Sequence, residues 1–137
     1  AGASARMTTA FAKVGMAGDL GGTYFLNRLV GPARARELYF TSAVLDARRL
    51  DELGLVNRVV SDADLERECL ALATQLAQGP RMAWGYMKRN FKVAEQGDLA
   101  KLLDVESDGM IRTGQSEDHK EAARAFVEKR APKFEGR

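Results

Sequence analysis

Apolar side chains recur every three or four residues through most of the second half of the chain, a spacing that predicts amphipathic helices. Ser61 and Asp64 resemble a capping box at the start of the first helix, and Gly79-Pro80 ends it. The later helices are predicted over residues 82–93, 99–112 and 116–127. The side chains expected to form their apolar core are Leu65, Cys69, Leu72, Leu76, Met82, Tyr86, Met87, Phe91, Leu99, Leu102, Leu103, Val105 and Ile111.

The first half of the chain predicts shorter elements separated by turn residues. Pro32 suits the first turn of a helix, Asp46 is a plausible N-cap for a helix, and Gly54 is a plausible stop. The predicted helices cover residues 23–30, 33–40 and 47–53. Two further stretches, residues 7–11 and the β-branched run 55–60, are expected to be strands or extended segments.

A loop rich in glycine, residues 15–23, precedes the first of these helices and contains a single carboxylate, Asp19. Glycine reaches backbone angles that strain other residues, so such a loop can fold tightly and admit a ligand against the main chain. Asp19 could take or give a proton there. The alternative is structural: Gly21-Gly22 make a turn, Thr23 caps the next helix, and Asp19 helps that cap or faces water.

Composition excludes several classes of function. The 137 residues are 45% hydrophobic and 29% charged with a net charge of +2, which is ordinary for a globular domain and too balanced to indicate a nucleic-acid or membrane partner. Cys69 is the single cysteine and His119 the single histidine, so neither a disulfide framework nor a metal site is expected. With neither a membrane-spanning run nor a signal peptide recognised, the prediction is a cytoplasmic protein.

The basic tail that follows the last helix, residues 129–133, allows two interpretations. Cations at a helix C-terminus are favoured by the helix dipole, so the tail can be simply solvated. The same charges could form a local anion site. Apart from this tail, nothing in the chain supports RNA binding.

Four ordered segments carry a resemblance to a known family. Residues 15–23, 29–38, 54–60 and 125–130 resemble the enoyl-CoA hydratase/isomerase (crotonase) family in sequence, order and separation. The resemblance runs from about Met7 to the C-terminus and matches only the C-terminal half of a family member. It implies an α/β protein: the C-terminal part of a crotonase (ClpP-like ββα spiral) fold, mostly helical in the portion present.

The resemblance also implies that the two parts of the chain have different roles. Residues 1–60 would be the end of the spiral core with the active-site glycine loop. Residues 61–137 would be a C-terminal helical region that assembles trimers or dimers of trimers. The rest of the spiral core would precede Ala1.

Family members act on acyl-CoA thioesters and hold the thioester oxyanion with two backbone N–H groups, which here would precede Ala1. Of the two glutamates used by hydratases, the second aligns with Phe11, which has no acid–base chemistry. Asp19 aligns with the aspartate of several isomerases and of aryl-CoA dehalogenases. The resemblance therefore favours an enoyl-CoA double-bond isomerase in which Asp19 shuttles a proton.

Three further residues receive roles through the resemblance. Gly15 would belong to the substrate-binding loop. Lys129 would neutralise a CoA phosphate and Phe126 would supply apolar contact at a CoA site, which in the family is often that of a neighbouring subunit. No cofactor is expected, because acyl-CoA is the substrate. The alternatives are an enoyl-CoA hydratase, or a non-catalytic helical assembly module that lacks the oxyanion hole.

Overall fold

A computed structural model describes residues 1–137 and divides them into two compact units, Ala1–Leu70 and Ala71–Arg137. The chain is 64% helical when 3₁₀ turns are counted, which confirms the expectation of a mostly helical protein. The helices are α1 (Gly22–Val30), α2 (Pro32–Thr41), α3 (Ala47–Glu52), α4 (Leu65–Ala77), α5 (Arg81–Ala94), α6 (Leu99–Gly114) and α7 (Glu117–Val127). No helix combines the length and apolar character needed to cross a bilayer.

The first unit is built on α1 and α2, with two short strands beside them. Strand β1 (Arg6–Met7) pairs antiparallel with β2 (Leu45–Asp46). Pro32 begins α2, and the Asp46 carboxylate accepts the Arg49 N–H at 2.8 Å, so both predicted helix starts are confirmed. The core residues are Leu26, Ala35, Leu38, Tyr39, Leu45 and Leu50.

Two predicted extended segments differ from the structure. Strand β1 stops at Met7, and Ala10–Val14 forms a 3₁₀ turn instead. The Thr8 and Thr9 hydroxyls donate to the Ser42 and Leu38 carbonyls at the end of α2, at 3.0 and 2.8 Å, so side-chain bonding replaces strand pairing. In residues 55–60 only Val60 pairs, in a single parallel bridge to Gly2, because no other strand lies alongside.

The second unit packs α5 against α6 and α6 against α7. Gly109 permits a close approach within this layer, since a Cβ there would lie 3.2 Å from the Tyr86 ring. The predicted start of the last helix at Ser116 is confirmed, since Ser116 accepts the His119 N–H at 3.1 Å. Helix α6 begins in the same way, with Asp98 accepting the Lys101 N–H at 3.0 Å.

Most of the helical stripes that the sequence predicts as core are exposed in this chain. Cys69 is exposed on α4, a helix with no buried residue, and Phe91 on α5 is 71% exposed. The other exposed members are Leu72, Leu76, Met87, Leu99, Leu103 and Ile111. The spacing of apolar residues determines which face of a helix is apolar. That face is buried only where another element of the structure packs against it.

Candidate active site

Asp19 opens a tight turn that leads directly into α1. The Gly22 N–H donates to the Asp19 carbonyl at 2.9 Å, and the two central residues, Leu20 and Gly21, have φ of 45° and 77°. Positive φ at both central positions is the signature of a type I′ turn. We call residues 19–22 the Asp19 turn. Leu20, a non-glycine residue, holds a left-handed conformation there with its side chain 95% exposed.

The Asp19 side chain faces solvent and accepts no hydrogen bond within the chain. The cap of α1 is Gly21, which has no side chain to offer, and α1 already begins at Gly22. Thr23 therefore lies inside the helix, and the expectation that it caps the helix is wrong. Asp19 makes no capping bond either. Its carboxylate is free to face water or a ligand.

The Tyr39 side chain of α2 packs against Gly18, which precedes the Asp19 turn, and against Gly22, its last residue. A Cβ on Gly18 would lie 3.2 Å from Tyr39 Cε1, and a Cβ on Gly22 would collide with Tyr39 Oη. The Tyr39 ring is only 9% exposed and stacks on Phe11, with ring centroids 6.1 Å apart and an interplanar angle of 8°. The sequence shows Tyr39 only as one residue of a helix; no spacing signal connects it to the loop.

Gly15 lies at the start of the loop, where it ends the 3₁₀ turn in the left-handed region at φ 69°. No atom lies within 4 Å of the place where its Cβ would be, so the position needs glycine for its backbone angle rather than for space. Phe11 lies in that 3₁₀ turn, four residues before Gly15, with its ring against Tyr39. Its hydrocarbon ring has no proton to exchange.

The other two candidate residues, Phe126 and Lys129, lie where α7 ends. The Lys129 N–H donates to the Phe126 carbonyl at 3.3 Å and the Arg130 N–H to the Ala125 carbonyl at 3.0 Å, the two bonds of a Schellman motif. Lys129 occupies the left-handed position with φ 53°, where glycine is usual. Phe126 is 85% exposed, and the Lys129 side chain is exposed beside it.

Charged groups hold the segment that follows α7. Arg130 forms two hydrogen bonds to the Glu121 carboxylate, at 2.6 and 3.0 Å, and the Lys133 N–H adds a third at 3.1 Å. The Arg130 guanidinium, followed by the Lys133 N–H, lowers the pKa of Glu121 from 4.5 to about 2. Further along, the buried Asp118 carboxylate accepts the N–H groups of Glu135 at 2.7 Å and Gly136 at 2.9 Å.

The candidate residues thus form two pairs. Gly15 and Asp19 share one loop of the first unit, and Phe126 and Lys129 share the end of α7 in the second. No group of three or more His, Cys, Asp or Glu side chains is arranged to hold a metal ion.

Comparison with known proteins identifies relatives along the whole chain. The profile of the family described as enoyl-CoA hydratase/isomerase matches residues 1–137. The 1,2-epoxyphenylacetyl-CoA isomerase of Escherichia coli K12 is 37% identical over 98% of this chain and 51% of the relative. The short-chain-enoyl-CoA hydratase of Clostridioides difficile is 36% identical over 82% of this chain and 73% of the relative.

Solved structures agree with the sequence matches. An enoyl-CoA hydratase from Bacillus anthracis superposes with a TM-score of 0.93 at 30% identity, covering 99% of this chain and 53% of that structure. The chain spans about half the length of most of the relatives it matches. The predicted fold, the C-terminal part of a crotonase fold, is confirmed. The chain belongs to the enoyl-CoA hydratase/isomerase family.

Proposed function

We propose that this chain is the C-terminal part of an acyl-CoA double-bond isomerase in which Asp19 moves the proton. The observation that carries the proposal is the Asp19 carboxylate itself, which is exposed and has no hydrogen-bond partner in the chain. A general base must reach the proton it abstracts, so a carboxylate without a structural partner suits the task. Relatives bear both isomerase and hydratase names, so the choice between the activities depends on the residues.

In the proposed reaction Asp19 removes a proton from a carbon of the acyl group next to the double bond. The electron pair of the broken C–H bond moves toward the thioester carbonyl, whose oxygen becomes negative. Asp19 then returns the proton to a different carbon, and the double bond has moved with no net change in composition. The backbone N–H groups that stabilise the oxyanion are assigned by the resemblance to sequence before residue 1.

Phe11 argues against a hydratase. Hydration needs acid–base groups that activate the added water and deliver a proton to the substrate. The residue at the family position of the second such glutamate is Phe11 here. Its ring lies against Tyr39 and offers only apolar contact. This substitution supports isomerisation over hydration.

The end of α7 is proposed to bind CoA. Phe126 presents an exposed aromatic ring, and the exposed Lys129 ammonium beside it can neutralise a phosphate as a point charge. The cost of holding Lys129 in the left-handed region, where glycine would be unstrained, is consistent with a role that needs its side chain.

The test measures isomerisation of a 3-enoyl-CoA, with the protein as its gene encodes it and after its intact mass has been determined. Asp19→Asn should lower kcat about 10²-fold or more with a small change in KM. Asp51→Asn is the matched control, because Asp51 is another exposed aspartate of the first unit, outside the loop. Isomerase activity that survives Asp19→Asn would contradict the assignment of Asp19.

The competing hypothesis is a non-catalytic assembly module. Exposed apolar residues on α4, α5 and α6 favour self-association, since such faces are typical of oligomer interfaces. Assembly into trimers or dimers of trimers is compatible with either hypothesis and is measured by sedimentation. A protein with an intact mass of 15.0 kDa that neither binds nor turns over acyl-CoA would support the module and contradict the isomerase.

A further inference from the structure

A groove of about 380 Å³ opens beside the Asp19 turn in the first unit. Ala17 and Thr23, which lie on either side of the turn in sequence, both line it. The remaining wall comes from α1 and α2 and includes Asn27, Arg36, Tyr39 and Phe40. The groove therefore lies beside the loop that carries Asp19, and its volume suits a short acyl chain.

The Tyr39 hydroxyl has no hydrogen-bond partner within the chain. Tyr39 is nine-tenths buried, with its ring fixed between Phe11 and the two glycines of the loop. The hydroxyl oxygen itself is open to solvent, because the only buried side-chain polar atom without a partner in the chain is Asn90 Oδ1, so a ligand can reach it. An oxygen atom of a ligand in the groove can accept a hydrogen bond from it.

Arg36 supplies the groove with a cation that no carboxylate of the chain neutralises. Two residues earlier on the same helix, Arg34 is paired with Glu37 at 2.8 Å. Arg36 forms no such pair, and no acidic residue lines the groove. Thr23 and Asn27 add neutral donors. An unpaired guanidinium surrounded by neutral donors is matched to a carboxylate.

We propose that this groove binds a carboxylate at the far end of the acyl group, so that the substrate is the CoA thioester of a short dicarboxylic acid. The inference rests on the proposed function and names its substrate class. The apolar wall around Phe40 contacts the carbon chain, and Arg36 and Tyr39 bind the terminal oxygens. A single guanidinium and an apolar wall fit a carboxylate at the end of a chain better than a phosphate, which usually draws several cations.

One test compares free ligands without relying on catalysis. Adipate and hexanoate have the same number of carbons and differ only in the second carboxylate, and adenosine 3′,5′-bisphosphate represents the phosphates of CoA. Calorimetry on the full chain should show that adipate binds at least about tenfold more tightly than hexanoate. Arg36→Met should remove that difference, and Tyr39→Phe should reduce it about threefold.

Arg34→Met is the matched control, since it removes an arginine of the same helix that lies outside the groove wall. It should leave adipate binding unchanged. Equal binding of adipate and hexanoate, or insensitivity of adipate to Arg36→Met, would overturn the inference. Tighter binding of adenosine bisphosphate through Arg36 would overturn it also, by showing that the groove takes a phosphate.

A second test uses turnover. The mono-CoA thioester of 3-hexenedioic acid should have a kcat/KM at least about tenfold above that of 3-hexenoyl-CoA, and Arg36→Met should cancel the preference. Turnover that depends on Asp19 but shows no such preference overturns only the dicarboxylate inference. Adipate binding that depends on Arg36, with no turnover of either thioester, overturns only the isomerase and leaves the carboxylate groove standing.

Discussion

The Asp19 turn and the end of α7, which carry the proposed functional side chains, are held in shape by different kinds of interaction. The turn is shaped by glycine backbone angles and by the Tyr39 ring, and its carboxylate makes no bond to the rest of the chain. The segment after α7 is shaped by charge-assisted hydrogen bonds to Glu121 and Asp118. We therefore expect the first region to respond to changes in side-chain volume and the second to changes in charge and pH.

The two regions share one feature that sharpens the contrast. Each holds a non-glycine residue at positive φ, Leu20 at 45° in the turn and Lys129 at 53° after α7. Such a conformation costs about 1 kcal/mol and persists only where the surroundings enforce it. In the turn the surroundings are the Gly22 N–H to Asp19 carbonyl hydrogen bond and the packing of Gly18 and Gly22 against Tyr39. After α7 they are the Schellman bonds and the Arg130 contacts.

The largest loss of stability is expected when the buried Asp118 carboxylate, which holds the segment after α7, is removed. Asp118→Ala removes the acceptor of the Glu135 and Gly136 N–H groups and should lower the free energy of unfolding by about 3 kcal/mol. Glu117→Ala is the control, because Glu117 is an exposed acidic residue of the same turn of α7. Urea unfolding measures both, and equal losses for the two variants would contradict the prediction.

The Asp19 turn packs closely against Tyr39, so we expect it to be disrupted by a larger side chain at that contact. Gly22→Ala places a methyl group against Tyr39 Oη and should destabilise the chain by about 2 kcal/mol. Tyr39→Phe removes that oxygen, and the next atom, Tyr39 Cζ, would lie 3.5 Å from the new methyl group. The double variant should then be more stable than Gly22→Ala alone. A double-mutant cycle with strictly additive losses would show that the contact does not shape the turn.

Relieving the strain after α7 should stabilise the chain and weaken CoA binding at once. Lys129→Gly accepts the left-handed angle without the Cβ penalty and should gain about 1 kcal/mol. Lys129→Ala keeps the penalty while also deleting the ammonium. The Gly variant should therefore melt above the Ala variant, with both binding CoA more weakly than the wild type. Unchanged CoA affinity in both would remove Lys129 from the proposed site.

The smallest effect is confined to acidic pH. Because the pKa of Glu121 is lowered from 4.5 to about 2 by Arg130, its ionised form stabilises the folded state above pH 4.5. That contribution is lost as the pH falls from 4.5 toward 2. Glu121→Gln should flatten the decline in melting temperature over this range, and Arg130→Met, which removes the cause, should flatten it similarly. An unaltered slope in both variants would contradict the ion pair.

Much of the fold was accessible from local signals. The side chains of Asp46, Ser61 and Ser116 each accept an N–H three residues later, so no tertiary information is needed to recognise them as caps. Pro32 begins α2 because its fixed φ suits a first helical turn, which is also a local property. Asp19 was accessible as a candidate for the same reason, as the one carboxylate of a glycine loop. Its role as a catalyst stays a prediction.

Other features depended on residues distant in sequence. Residues 7–11 were predicted to be extended, yet Thr8 and Thr9 bond to the end of α2, some thirty residues away, and a 3₁₀ turn follows. The run 55–60 has strand propensity but only one pairing partner. The strand propensity of a segment indicates that it can form a strand. Whether it does so depends on a neighbouring strand to pair with, which the segment's own sequence does not specify.

The sequence by itself determined the approximate bounds of the helices and which carboxylate lies in the loop, because these depend on neighbours along the chain. Only the tertiary structure decided that Tyr39 lies beneath the Asp19 turn, that Arg36 faces a groove without an acidic partner, and that the apolar stripe of α4 is exposed. The physical reason is that packing joins surfaces from separate elements, and periodicity tells which way a surface points but not what lies against it.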